Sequence, residues 1–451
     1  MAGRALRPFL RHTAHKLQTQ PKFNYYRTFL SASYRCEEAW NKRLQLPLIA
    51  AIKPSEYFYE LDLKYKQEGK VSAIDVDLFV NKIEKSEAVG FEDEIEDLIH
   101  RLRRSPETVR TLPSTPHAVL RVLSEGGCTP TLLKLISDPL NYGIFPDHYI
   151  SNLLMDTFLE QKNYTAAARV ASIHMLQEDF GSSLTQALTL ASCYSYVTSE
   201  ENQPWEDYTP QVEQPEEEVK IRVKFLRNPY FDDHFDLKDP NHIVGKTLAW
   251  LSPLIGGSVG ISCEILGWAL YNKWKELDTA LDSANKGTDS VAASVLTRVK
   301  NFLETCDDLE IKERITSGIL RLEASGDKVA ELDLGSCINE MVQKAATEAE
   351  SSDIKAQEDT YLSWEKIREN EFQVQLDEYK KRQLLAEIER KKKDLAEREE
   401  VIFFFDNKEK LEMLLPDTRR KYYPKKLSLR YPKKKPRKVD EGYIPPEVIQ
   451  R

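Results

Sequence analysis

Cysteine is scarce and scattered in this 451-residue chain: Cys36, Cys128, Cys193, Cys263, Cys306 and Cys337 lie at least 31 residues apart. No pair has the spacing of a zinc site, and the eight histidines do not cluster with them, so buried thiols in a reducing compartment account for all six. Long apolar runs are missing as well. The least polar stretch, His242 to Tyr271, carries no charge between Lys246 and Glu264 but is interrupted by Pro253 and Gly256-Gly257. It is too broken to span a membrane and is expected to form a buried helix pair, 242–252 and 258–274. Phosphate-binding loops are absent too. Gly245-Lys246-Thr247 resembles the end of one, but Pro240 stands where the required earlier glycine belongs, and Gly256-Gly257-Ser258-Val259-Gly260 lacks the Gly-x-Gly-x-x-Gly spacing. No triad or carboxylate pair is legible, so no enzyme, cofactor or metal is expected.

Acid is absent from residues 1–36, which hold seven basic residues: Arg4, Arg7, Arg11, Lys16, Lys22, Arg27 and Arg35. A basic, acid-free start without an apolar core reads as a mitochondrial transit peptide rather than a secretory signal, with Arg27-Thr28-Phe29 before Leu30-Ser31-Ala32-Ser33 as the processing region. The whole chain carries −9; setting aside +7 for residues 1–36, +11 for 418–439 and −2 for 440–451 leaves −25 on residues 37–417. Such a body repels a phosphate backbone while both ends attract it, so any RNA contact is local.

What the chain does have is helical periodicity. In the centre, Ile150, Leu153, Leu154, Thr157 and Phe158 share one helical face, and Tyr164, Ala167, Ala168, Ala171 and Met175 share another across the polar corner Glu160-Gln161-Lys162-Asn163. Neither segment is long enough to be stable alone, so the two pack together, and the alanines allow a close approach. Pro146 and Asp147 write the helix start. Flanking units repeat this plan. One opens at Ser72, with Ile74, Leu78, Phe79 and Ile83, then Ile95, Leu98, Ile99 and Leu102 before Pro106; another runs over 35 residues from Pro113 to Asp147, broken at Gly126-Gly127. A further helix begins near Leu184, and residues 37–70, with Trp40 and Tyr57, form a capping region. Adjacent hairpins of one length imply an all-α solenoid.

Residues 199–219 hold eight acids and three prolines and are expected to be a solvated loop, with weak order continuing to about Pro240. From about Tyr361 to Ile402 the chain is charged and free of proline and glycine, which favours one long helix. Ile367, Val374, Ile388, Leu395 and Ile402 fall on a seven-residue repeat, but the companion positions are polar, half the seam of a coiled coil. The helix lies along a partner, bridges two, or stands solvated. Residues 418–439 combine Arg419, Arg420, Lys421, Lys425, Lys426, Arg430, Lys433, Lys434, Lys435, Arg437 and Lys438 with three tyrosines, while Pro424, Pro432 and Pro436 favour extended chain. This suits phosphate neutralisation and base stacking; a nuclear localisation signal is the rival reading and conflicts with the basic start.

The run Gly143-Ile144-Phe145-Pro146-Asp147 before Ile150-Ser151-Asn152-Leu153-Leu154-Met155-Asp156 resembles the pentatricopeptide repeat. Together with Leu30-Ser31-Ala32-Ser33-Tyr34 ahead of Trp40, and a Trp364-containing charged helix, it resembles more narrowly the mitochondrial small-subunit ribosomal protein family numbered 27, over most of the chain to about residue 400. The resemblance implies a pentatricopeptide-like α-solenoid of helical hairpins, a place in the mitochondrial matrix on the ribosome, and contacts with small-subunit ribosomal RNA and other mitochondrial ribosomal proteins. It implies no enzymatic activity. Asn152 matches the position at which recognition repeats read a base, although the acidic body argues against sequence-specific reading. The acidic loop and the tail after about Val401 fall outside the resemblance. The domain plan expected is therefore transit peptide 1–36, helical-repeat domain 37–310, helical region 311–404 with the long charged helix, and extended basic tail 405–451. The function expected is a structural ribosomal component, with a free pentatricopeptide regulator of mitochondrial transcripts or translation as the alternative.

Overall fold

A computed structural model describes residues 29–199, 205, 231–304, 309–325, 328–410 and 413. It has two compact units, Met1–Glu371 and Phe372–Arg451. The first is built from short helices α1 (Glu37–Lys42) and α2 (Pro47–Ala50), then α3 (Pro54–Glu68), α4 (Ala73–Lys82), α5 (Glu92–Arg104), α6 (Ser114–Gly126), α7 (Thr129–Ser137), α8 (His148–Glu160), α9 (Tyr164–Leu176) and α10 (Ser183–Thr198). Further along the chain come α11 (Pro240–Ile255), α12 (Gly257–Leu270), α13 (Trp274–Lys286), α14 (Ala293–Leu303), α15 (Leu309–Ala324) and α16 (Leu334–Ile402), whose last part lies in the second unit. The sheet among the described residues is one short parallel pair, β1 (Val291–Ala292) with β2 (Val329–Ala330).

The packing is that of an all-α solenoid. Helices pair with their next-but-one neighbours in two rows, α4 with α6, α8 and α10 on one side and α5 with α7, α9 and α11 on the other. Consecutive hairpin partners such as α8 and α9 close the layer between the rows. The expected hairpins over residues 72–198 are all present.

Local chemistry sets their ends. Asp147 Oδ1 accepts the Ile150 N–H at 2.7 Å and caps α8, and Asn163 Oδ1 accepts the Ala166 N–H at 3.1 Å and caps α9. Gly127, with φ 78°, terminates α6 in the left-handed conformation that costs glycine least. Of the expected face of α8, Ile150, Leu153, Leu154 and Phe158 are buried and Thr157 is half-buried, but Ser151, Asn152, Met155 and Asp156 are buried too. This helix is enclosed by α6, α9 and α10 and by the N-terminal segment at residues 29–36.

Gly245 has a steric role. A Cβ there would lie 2.7 Å from the Gly267 carbonyl oxygen, and one on Gly267 would lie 2.6 Å from the Ala249 nitrogen. The two glycines let α11 and α12 cross backbone to backbone.

Three expectations differ from the fold. Of the expected pair 242–252 and 258–274, helix α11 runs through Pro253 to Ile255 instead of stopping at 252, and α12 ends at Leu270 with Trp274 opening α13. The proline falls in the last turn, where the missing N–H removes one bond only, and Gly256 at φ 66° ends the helix. Helix α16 begins at Leu334, well before residue 361. Finally, residues 231–239 are packed: His234 stacks on Trp250 at 5.2 Å, and the Asp233 carbonyl accepts from Lys246 Nζ at 2.5 Å and Tyr271 Oη at 2.9 Å. A ring stack and two charged or phenolic donors hold a segment whose composition alone reads as loop.

In the second unit, α16 continues from Phe372 as an exposed charged helix. Val374, Leu384, Leu385, Ile388 and Leu395 are all exposed along it, followed by Phe403, Phe404 and Phe405.

Candidate functional site

The eleven basic residues singled out between Arg419 and Lys438 lie outside the described residues, as do residues 1–28 and 206–219. Asn152 is well placed and occupied. It is 1% exposed, and its Nδ2 donates to Tyr34 Oη at 3.1 Å. The Tyr34 ring stacks on Tyr149 with centroids 5.0 Å apart, and Tyr149 Oη donates to the Tyr34 carbonyl. Asn152, where base reading was expected, is thus covered by the chain's own N-terminal segment. Burial pushes both tyrosine hydroxyls up, so they stay neutral donors.

Around this lid an aromatic and cationic cluster joins segments far apart in sequence. His117 of α6 stacks on Tyr149 at 5.8 Å and meets Trp364 of α16 edge-on at 5.0 Å, while Trp40 lies 5.6 Å from it. Its Nε2 hydrogen-bonds Tyr361 Oη at 3.1 Å, and its Nδ1 lies 3.5 Å from the Asp147 carboxylate. Burial pushes the His117 imidazole down, against the pull of Asp147, which favours the neutral ring.

Three arginines in this region are buried and hydrogen-bonded. Arg43 donates to the carbonyls of Asn81, Trp40 and Ile83 at 3.0–3.2 Å, with its guanidinium 3.7 Å over the Trp40 ring. Arg121 reaches Glu125 and Tyr361 at 2.8 Å and the Arg35 carbonyl at 2.5 Å. Arg368 of α16 donates from Nε to Asp77 Oδ2 at 2.6 Å, and Asp77 Oδ1 accepts from Ser114 Oγ at 2.5 Å and Thr115 Oγ1 at 2.9 Å. These cations fasten the N-terminal segment and the first part of α16 to the hairpins, and none presents its guanidinium to a phosphate.

Sequence reasoning missed this clasp. Its one local signal is the density of arginine and aromatic residues at positions otherwise spaced as apolar core.

Cys128, Cys193 and Cys263 are buried, and burial pushes all three thiols up, Cys128 to about 11, away from the thiolate that a nucleophile needs. Among the described residues no group of three His, Cys, Asp or Glu is placed to hold a metal ion, and no helix is long and apolar enough to cross a membrane. In this all-α solenoid the chain's own N-terminal segment covers Asn152, and the buried cations Arg43, Arg121 and Arg368 serve packing. The family model of mitochondrial 28S ribosomal protein S27 matches residues 1–394, so the chain belongs to that family and is a component of the small subunit of the mitochondrial ribosome, in the matrix.

Proposed function

We propose that the chain is a structural, non-catalytic part of the small subunit that supports mitochondrial translation by binding ribosomal RNA and neighbouring ribosomal proteins. The observation that carries this is the division of charge. The buried arginines Arg43, Arg121 and Arg368 are spent inside the body, residues 37–417 carry −25, and eleven positive charges stand within residues 418–439. RNA contact is accordingly assigned to the tail, from Arg419 to Lys438, as an extended strand along phosphates. Asn152, donating to Tyr34, has no assigned part in it. The exposed apolar residues of α16 from Val374 to Leu395 suit a protein neighbour.

Of residues 1–36, expected as the import segment, those before Phe29 are assigned to import, because Leu30, Tyr34 and Cys36 are buried in the body; residues 37–310 are assigned to a pentatricopeptide-like repeat domain, 311–404 to a helical region and 405–451 to the tail.

Replacing Lys425, Lys426, Lys433, Lys434 and Lys435 with alanine should weaken binding to ribosomal RNA fragments. It should also reduce the slope of log affinity against log salt by roughly 0.7–0.9 for each lost phosphate contact. Sequence preference should barely change, because phosphate contacts position without specifying. Unchanged affinity and slope would mean that the tail touches protein instead.

A further inference from the structure

Asp156 on α8 is 4% exposed beneath the N-terminal segment. Its Oδ1 accepts the backbone N–H of Phe29 at 2.9 Å and that of Leu30 at 3.4 Å. Among the described residues no lysine or arginine pairs with it; Arg35 of the covering segment pairs with Glu160 at 3.7 Å. Burial pushes the Asp156 carboxyl up to about 6, and the two amide N–H bonds together with the charge of Arg35 offset that only in part. The carboxylate is desolvated and makes no direct ion pair, Arg35 acting on it only from a distance, and the atoms hydrogen-bonded to it are backbone nitrogens. An ammonium at the Phe29 nitrogen would complete an ion pair that already has hydrogen-bond geometry.

The sequence offers a route to that ammonium. Arg27 stands two residues before Phe29 at the end of an acid-free basic run. From Leu30 onward the chain belongs to the core, with Leu30 at 5%, Tyr34 at 0% and Cys36 at 7% exposure. Cleavage after Tyr34 or beyond would remove the ring that stacks on Tyr149 and receives Asn152. Cleavage before Phe29 leaves all of this in place.

We propose that processing hydrolyses the Thr28–Phe29 peptide bond and that Asp156 is the receptor for the α-ammonium this creates, locking the N-terminal segment onto α8. A matrix peptidase adds water across the bond. The water oxygen goes to the Thr28 carbonyl carbon, the C–N bond breaks, and the Phe29 nitrogen takes up protons to become an ammonium. In the precursor the same nitrogen is a neutral amide, so the ion pair belongs to the mature chain alone. This rests on the reading that the residues before Phe29 direct import.

The test is N-terminal sequencing of the protein purified from mitochondria, together with the acylation rate of its α-amine, for the natural chain and for Asp156→Asn. The expected result is a chain beginning at Phe29 whose amine reacts about tenfold more slowly near neutral pH than in the variant, the effect of raising an α-amino group by about one pKa unit. A protein in the matrix that begins at another residue overturns the inference and leaves the import reading intact. A precursor lacking residues 1–28 that still enters the matrix sinks the import reading itself. A start at Phe29 with equal reactivity in both proteins removes Asp156 from the role. Melting of the processed and the unprocessed chains supplies a second readout: Asp156→Asn should lower the melting temperature of the processed chain only, and an equal loss in both contradicts the ion pair.

Discussion

Replacing Arg368 with leucine is expected to destabilise the first unit by about 3–5 kcal/mol, the effect of removing one partner from a buried ion pair. Asp77 is fully buried, and Arg368 Nε donates to its Oδ2 at 2.6 Å. With the guanidinium gone, the Asp77 carboxylate keeps only the hydroxyl donors of Ser114 and Thr115. Two neutral donors do not compensate a desolvated charge. The loss should show as a lower denaturation midpoint. It should be accompanied by faster hydrogen exchange in α4 and α6, the helices that carry Asp77, Ser114 and Thr115. Replacing Asp77 and Arg368 together with apolar residues should recover much of the loss, since a buried pair contributes little net stability and only its half-removal is severe. A single substitution costing less than about 1 kcal/mol would mean that water reaches the pair.

The second large effect concerns α8. Leu154 has no exposed surface, and its helix is enclosed by α6, α9 and α10. Leu154→Ala should cost about 2–5 kcal/mol, the lost transfer energy plus the cavity left where rigid helices on three sides cannot collapse. Leu154→Met conserves most of the volume and should cost less than about 1.5 kcal/mol. Both values come from chemical denaturation of the whole chain, because the N-terminal segment and the neighbouring hairpins all contribute to the enclosure. Equal costs for alanine and methionine would show that the site relaxes rather than leaving a cavity.

Local signals carried the central hairpins, and long-range ones were invisible. The cap at Asp147, the break at Gly126-Gly127 and the apolar spacing of Ile150, Leu153 and Leu154 act within one or two helical turns, and each is where the sequence places it. The covering of α8 depends on Tyr34 meeting Asn152 from 118 residues away and on Phe29 meeting Asp156 from 127 residues away. No periodicity within α8 can announce such partners, so nothing in the spacing marks Ser151, Asn152 and Asp156 as buried.

The early start of α16 was missed for a different reason. Leu334, Ile338, Val342 and Ala346 recur every four residues and are buried, but they sit among polar residues of no strong charge bias, and a search for a charged run begins too late. The burial of Arg43, Arg121 and Arg368 in the clasp was not expected, because a buried arginine depends on acceptors brought by other helices. Gly245 shows the reverse case. Its neighbours Lys246 and Thr247 imitate a phosphate loop, whereas the glycine serves a helix crossing.

The central claim is that this chain is held in the small subunit as a structural component rather than circulating as a free regulator of transcripts. Gradient sedimentation of mitochondrial lysate after a high-salt wash tests it most directly. The account predicts co-migration with the small subunit, because a component held by protein and RNA contacts together keeps its place when exposed phosphate contacts are screened. A soluble pool bound to particular messages, with the washed subunits depleted of the chain, would contradict it.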